Sequence, residues 1–173
     1  MRNFNHKIFR ESGLLNNGGK ALHRGIEVSG AIYPVEGLKL YGSGAIQRAT
    51  IEYGMNKGNR VPYAPRYTAT AGAKYQCGVG EGTLTTNVYG NFVSSQFSDL
   101  ANTLEGSANG NVGLIPKFFL LNATASYSYK QWNFNLNALN LLNRKYFTTR
   151  HNAWGGIMPA ATISVLAGVG YQF

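Results

Sequence analysis

Negative charge is scarce in this chain: its 173 residues include 7 Asp+Glu against 16 Lys+Arg, for a formal net charge of +9, and only 13% of residues are charged. A water-facing globular surface normally draws on about 25% charged residues. Cysteine is nearly absent as well. The single Cys77 cannot close an internal disulfide and has no second cysteine for a metal or redox motif, so it reads as a small apolar filler. Long apolar runs are missing: nothing approaches the ~18 consecutive apolar residues of a spanning helix, and the longest runs are short ones such as Phe118-Phe119-Leu120-Leu121. A helical membrane protein is excluded. The first residues, Met1-Arg2-Asn3-Phe4-Asn5-His6-Lys7, lack the roughly 7–15-residue apolar core of a secretory signal. The expectation is a chain that is intracellular or that lacks its natural beginning.

What is present excludes further classes. A hydrophobic fraction of 44%, 13% aromatics and 22 glycines do not fit a disordered, collagen-like or coiled-coil chain. The length allows one domain, or part of a larger one, over residues 1–173.

The informative feature is a period of two. Near the C-terminus Ile163, Val165, Ala167, Val169, Tyr171 and Phe173 share one face, and Thr162, Ser164, Leu166, Gly168, Gly170 and Gln172 the other. Trp132, Phe134, Leu136 and Ala138 alternate with Asn133, Asn135 and Asn137, three asparagines in a row that an ordinary core does not accept and that must see water or a polar lumen. The pattern returns over Leu121–Tyr129, Tyr67–Cys77, Leu84–Phe92, Ile26–Tyr33 and Leu38–Gln47, which makes seven strands. A partial strand over Phe4–Arg10 makes eight, and no segment sustains a 3.6-residue period, so the chain reads as all-β.

Connector lengths alternate too. Short turns are expected near Pro34–Glu36, Gly78–Gly82 and Lys130–Gln131, and long Gly/Asn-rich segments at Glu11–Ala21, Tyr53–Pro65, Gln96–Pro116 and Thr148–Ala160. In an antiparallel up-and-down meander this puts the short turns at one end and the long loops at the other, as in an outer-membrane β-barrel. Aromatics at strand ends, such as Tyr127, Tyr129 and Trp132, fit an interfacial girdle. A soluble barrel also alternates, but its outer face carries many charges; here the polar faces are Asn, Ser, Thr and Gly, which favours apolar-out and polar-in.

Particular residues carry a family resemblance. Leu136-Asn137-Ala138-Leu139-Asn140-Leu141-Leu142-Asn143-Arg144-Lys145-Tyr146-Phe147 resembles the penultimate-strand motif of TonB-dependent outer-membrane receptors. Tyr171-Gln172-Phe173 resembles their C-terminal signal, in which Tyr171 and Phe173 would be read by the outer-membrane assembly machinery. Asn17–Glu27 followed by Pro34-Val35-Glu36-Gly37-Leu38 is similar to a loop, strand and turn of the same family. Gly58–Arg66, Ser94–Asp99, Gly113–Pro116 and the loop from Phe147 to Ile157 look most like the ferric dicitrate group, although Pro159-Ala160-Ala161-Thr162 lacks the arginine often found before the last strand.

The resemblance implies an antiparallel transmembrane β-barrel segment of about eight strands, the C-terminal part of a 22-stranded barrel in the Gram-negative outer membrane, with the plug domain and earlier strands outside this chain. It implies transport of a ferric siderophore, possibly ferric citrate, as cargo, with no resident cofactor. Contact with the TonB complex would run only through the absent N-terminal part, and the lipid and lipopolysaccharide of the outer membrane would surround the barrel. A ferric chelate is usually anionic, so cations at the long-loop end would attract it and hold it by charge-assisted hydrogen bonds. The candidates are Lys20, Arg24, Arg48, Lys57, Arg60, Arg66, Lys117, Arg144, Lys145 and Arg150, foremost Arg60 and Arg150, each inside a loop. The bland reading of each is a solvated loop charge or a contact to lipopolysaccharide phosphate. His151 and Trp154 complete the ligand-facing candidates, Trp154 with Tyr63, Tyr146 and Phe147 as stacking surfaces or interfacial anchors.

Other chemistry has no support. His6, His23 and His151 are far apart, with no partner at i+3 or i+4, so no protein-built metal site is expected. There is no Gly-x-Ser-x-Gly, paired-carboxylate or phosphate-loop motif, and Gly78–Gly82 falls in a hairpin turn rather than before a helix. The chain therefore reads as no enzyme. Its cations are not interleaved with exposed aromatics on one strand face, which argues against a nucleic-acid partner. Two other readings remain open: a small autonomous eight-stranded outer-membrane barrel with an adhesive or structural role, and a soluble barrel binding an apolar ligand.

Overall fold

The computed structural model describes residues 20–151 and 156–173, together with the backbone of three short N-terminal strands. Period-two patterning becomes strand in each of the seven long segments. The strands are β1 (Arg2–Phe4), β2 (Phe9–Glu11), β3 (Leu14–Asn16), β4 (Ala21–Val35), β5 (Leu38–Ile51), β6 (Tyr67–Val79) and β7 (Gly82–Val93). They continue with β8 (Gln96–Phe97), β9 (Leu114–Ile115), β10 (Phe118–Tyr129), β11 (Trp132–Leu139), β12 (Phe147–Arg150), β13 (Ile157–Pro159) and β14 (Ser164–Tyr171). One antiparallel eight-stranded sheet runs in the order β1-β4-β5-β6-β7-β10-β11-β14, and β2-β3, β8-β9 and β12-β13 are separate two-stranded pairs. The long strands are adjacent in chain order, as a meander requires. The sheet is open, with β1 and β14 at its edges.

Register puts the apolar residues on one face across the whole sheet. Ile26 faces Ile46 and Ile46 faces Tyr67; Leu40 faces Ala73, Ala73 faces Val88 and Val88 faces Ala123. Ala123 faces Ala138, and Ala138 faces Val165. These side chains are bare: Ile26, Val28, Val165 and Val169 are each about two-thirds exposed or more. Burial of a Val or Ile side chain contributes about 1.5–3 kcal/mol, so a surface of this kind is stable against lipid and not against water. A strand needs about 9–11 residues to cross the hydrocarbon. β4 with 15, β5 with 14, β6 with 13 and β7 and β10 with 12 each exceed that and project beyond it.

The opposite face is polar and self-bonded. Tyr41 Oη donates to Asn87 Oδ1 (3.0 Å), Thr70 Oγ1 to Asn91 Oδ1 (2.9 Å), and Asn133 Nδ2 to Ser128 Oγ (2.8 Å). Gly72 makes the first of these possible, because a Cβ there would lie 2.5 Å from the Tyr41 hydroxyl that crosses over it. On the apolar face the Phe119 ring covers Gly90 in the same way, 2.6 Å from where a Cβ would stand. A ring laid over a strand glycine restores the packing that the missing side chain gives up.

Short turns end these strands where expected, at Gly80–Glu81 and Lys130–Gln131, but the first lies at Glu36–Gly37 rather than Pro34–Glu36. Gly37, at φ +76°, tucks the turn against β6 with its carbonyl accepting the Gln76 N–H at 2.9 Å. The N-terminal expectation also needs correcting. In place of a strand over Phe4–Arg10, Arg2–Phe4 pairs with Ala21–His23, while Phe9–Glu11 turns back on Leu14–Asn16. Alternation over so short a stretch did not separate one strand from two.

Candidate functional site: the long-loop end

Three segments, 52–66, 94–117 and the described residues 140–151 and 156–163 of a third, lie at the end of the sheet opposite the short turns. They are folded onto one another. The first doubles back along β5: Gly58 N–H donates to Ile51 O (2.8 Å), Ile51 N–H to Asn59 O (2.9 Å) and Val61 N–H to Ala49 O (3.0 Å). This seats Val61, 1% exposed, on Ala21, Ala49 and Ile51, with Ala64 and Leu100 packed alongside.

The second segment is fixed by small polar side chains. Asp99 accepts from the Thr103 N–H and hydroxyl. Buried Ser98 both donates to Gly113 O (2.9 Å) and accepts from Gly113 N–H (3.1 Å). Asn102, at φ +59°, clamps the first segment to the second, accepting the Arg60 N–H (2.7 Å) and donating to Arg60 O (2.8 Å). Tyr63, at φ +56°, donates its N–H to Phe97 O and its hydroxyl to Arg150 O, both at 2.8 Å. It therefore touches both other segments.

Arg150, one of the two foremost candidates, is buried here. Its guanidinium donates to Gly110 O (3.0 Å) and Leu114 O (3.2 Å) and lies over the Phe147 ring at 5.1 Å, and its Nε has no partner. The fork geometry that suits arginine to carboxylates is spent here on two carbonyls of the neighbouring segment. Arg60 is half-buried, donates to Ala64 O (3.2 Å) and stacks over Phe97 at 5.4 Å. Burial first, and the neighbouring Arg66 second, pull its pKa below the ordinary value, against an upward pull from Tyr67; it stays charged at any physiological pH.

Arg66 is exposed, with its guanidinium 5.2 Å over the Tyr67 ring, and Lys57 and His151 are exposed. Trp154 lies outside the described residues, as does His6. Tyr146 stacks on Phe118 at 4.7 Å and Phe147 lies under Arg150, so both rings are engaged within the chain. Arg60, Arg66, Arg150 and Tyr63 thus come together around one loop cluster, and Lys57 stands on its outer flank. At the other end of the sheet Tyr171 packs edge-on against Trp132 (4.8 Å) and Phe173 (5.2 Å).

The segment after β11 shows what its asparagines do. Asn140, 3% exposed and at φ +51°, donates to Arg144 O (2.9 Å) and Ala161 O (3.2 Å) and accepts the Arg144 N–H (2.8 Å), while its own N–H goes to Asn122 Oδ1 (2.9 Å). Asn143, at φ +48°, accepts the Ile163 N–H at 3.3 Å. Asparagine tolerates this left-handed backbone better than most residues. The stretch from Asn140 to Asn143 is thus a hydrogen-bonded corner rather than a ligand site.

A family model described as the β-barrel of TonB dependent receptor-like proteins matches residues 3–141. The chain belongs to that family. It superposes on the ferric citrate transporter FecA in its unliganded form with a TM-score of 0.79 and 29% identity, covering 97% of this chain and 27% of that one. The ferric yersiniabactin uptake receptor FyuA from Yersinia pestis (TM-score 0.77, 20% identity, 92% and 25% covered) and the ferric preacinetobactin receptor BauA from Acinetobacter baumannii (0.74, 24%, 99% and 25%) share the fold. The chain spans about a quarter of the length of these receptors. Membership places the chain in the Gram-negative outer membrane, with the bare apolar face toward lipid.

Proposed function

We propose that the chain forms the C-terminal strands and loops of the barrel of a larger TonB-dependent receptor, and that this receptor takes up an anionic ferric chelate of the citrate type. The observation that carries the reading is the uneven placement of charge. Lys57, Arg60 and Arg66 gather at the long-loop end, above a polar face on which Thr70, Asn87, Asn91, Thr124 and Asn137 are neutral and the charges include Glu27 on β4 and, nearer the short turns, the paired Lys39 and Lys74. Such a mouth focuses an anion at its rim. Exposed Arg66 and Lys57 meet the chelate directly, Arg60 adds its field from a half-buried seat, and buried Arg150 holds the loops that present them. The likeness to the ferric citrate transporter supports the choice of chelate.

The open sheet supports a larger barrel over a small autonomous one: among the described residues β1 covers only Ala21–His23 of β4, so the edge of this 15-residue strand away from β5 is mostly uncovered. An unpaired edge in hydrocarbon costs several kcal/mol per group. Strands outside this chain complete the wall, and the energy-coupling contact with TonB belongs to the part they come from. Deleting the gene that encodes this chain is expected to abolish uptake of radioactive iron from ferric citrate in iron-starved cells. Uptake unchanged in the deletion strain would refute the chelate assignment.

A further inference from the structure

We infer that Lys39 and Lys74 form a second anion site, on the lumen face at the short-turn end, that takes the carboxylates of the cargo as it leaves the barrel. The inference rests on the anionic cargo proposed above. Lys39 on β5 and Lys74 on β6 are direct partners in the antiparallel register. Each lies two residues along its strand from the lumen-facing pair Tyr41 and Gly72, so the two ammonium groups share that face. Like charges directly opposite one another destabilise a sheet, and among the described residues no carboxylate lies within ion-pair distance of either lysine. The Lys39 ammonium stands 5.9 Å from the centres of both the Tyr33 and the Tyr41 rings, two aromatic faces that hold it in the groove lining. Lys74 is exposed. Both line an open groove of about 930 Å³ with Tyr33, Gln76 and Thr83 and with Glu36 of the turn.

The course of β6 points to a passing anion rather than a fixed partner. Its lumen side begins just beyond exposed Arg66, passes Thr68, Thr70 and Gly72 and reaches Lys74, so cations mark both ends of one row. At the rise of a strand those ends are about 27 Å apart. Glu27 on β4 lies on the same face between them and repels an anion from the middle of the wall. A site on a path must attract its ligand and also let it go. Two lysines fit that need better than the arginines of the long-loop end, because an ammonium is a point charge without the flat fork that grips a carboxylate in two bonds. Glu36 lowers the net charge of the groove further.

The test uses cells in which the full-length receptor is the only route for ferric citrate, with radioactive iron citrate as the probe. Binding to de-energised cells reads capture at the long-loop end, and uptake by energised cells reads the whole passage. K39Q/K74Q is expected to bind as the unmodified receptor does and to take up iron about fivefold more slowly at saturation, and K39R/K74R to keep part of the uptake. K74Q alone, at an exposed position, is expected to show part of the loss and decides the matter if the double variant does not assemble. Unchanged uptake in these glutamine variants would overturn the inference. So would a parallel fall in binding and uptake, or new sensitivity of the cells to a large glycopeptide antibiotic, which would mean that the lysines hold a protein segment closing the lumen. An unmodified receptor that binds no ferric citrate would instead refute the chelate reading, and this inference with it.

Discussion

At the scale of single residues, Arg150 is the part whose loss spreads furthest. Its two carbonyl partners belong to the 94–117 segment while its own carbonyl takes the Tyr63 hydroxyl, so one residue joins three loops. Arg150→Met keeps the volume but leaves Gly110 O and Leu114 O unpaired, which costs about 2–3 kcal/mol of local stability. The expected readout is faster amide exchange across residues 104–114 with little change in β10 and β11. Gly72→Ala belongs to the same scale: a Cβ 2.5 Å from the Tyr41 hydroxyl displaces the ring and breaks its bond to Asn87, for about 1–2 kcal/mol, visible as a lower unfolding midpoint in detergent. Residue roles were the least legible feature of the sequence. A cation inside a loop looks the same whether it faces solvent or a carbonyl cage, so Arg150 and Arg66 could not be told apart. The clamp residue Asn102 was unmarked because its partner, Arg60, lies in another segment and meets it only once the loops fold back.

At the scale of elements, alternation carries nearly everything. β4, β5, β6, β7, β10, β11 and β14 lie where the period of two placed strands, and lipid-facing and lumen-facing sets follow from parity alone. What alternation could not show is the pairing inside the long segments. β8-β9 is extended by the Ser98–Gly113 bonds and β12-β13 by the Ala160 N–H to Tyr146 O and His151 N–H to Gly156 O bonds, contacts that have no period. The parity account makes a paired prediction on adjacent rows. Val88→Arg, on the lipid face, is expected to destabilise the barrel by about 2–4 kcal/mol. Asn87→Arg, one residue away in the lumen, is expected to cost far less. Urea unfolding of the intact receptor in lipid vesicles separates them, and equal effects would reject the inward and outward assignment.

At the scale of the whole molecule, the proposed larger barrel supplies strands for the two unjoined edges of the sheet, and lipid covers its bare apolar face. The family and the fold were both legible from motif and pattern. The Asn140–Asn143 corner explains why that motif is so recognisable, since two left-handed residues with bonded side chains leave little room for other residue types. That the 173 residues are one part of a receptor barrel is tested by the apparent mass of the native polypeptide. Outer membranes of the source cells, blotted with an antibody raised against the Arg150–Ile157 loop, should show a band several times larger than 18.8 kDa. Dividing 18.8 kDa by the 27% of FecA that the chain covers gives about 70 kDa. A single outer-membrane band at 18.8 kDa would contradict the account and leave an autonomous small barrel in its place.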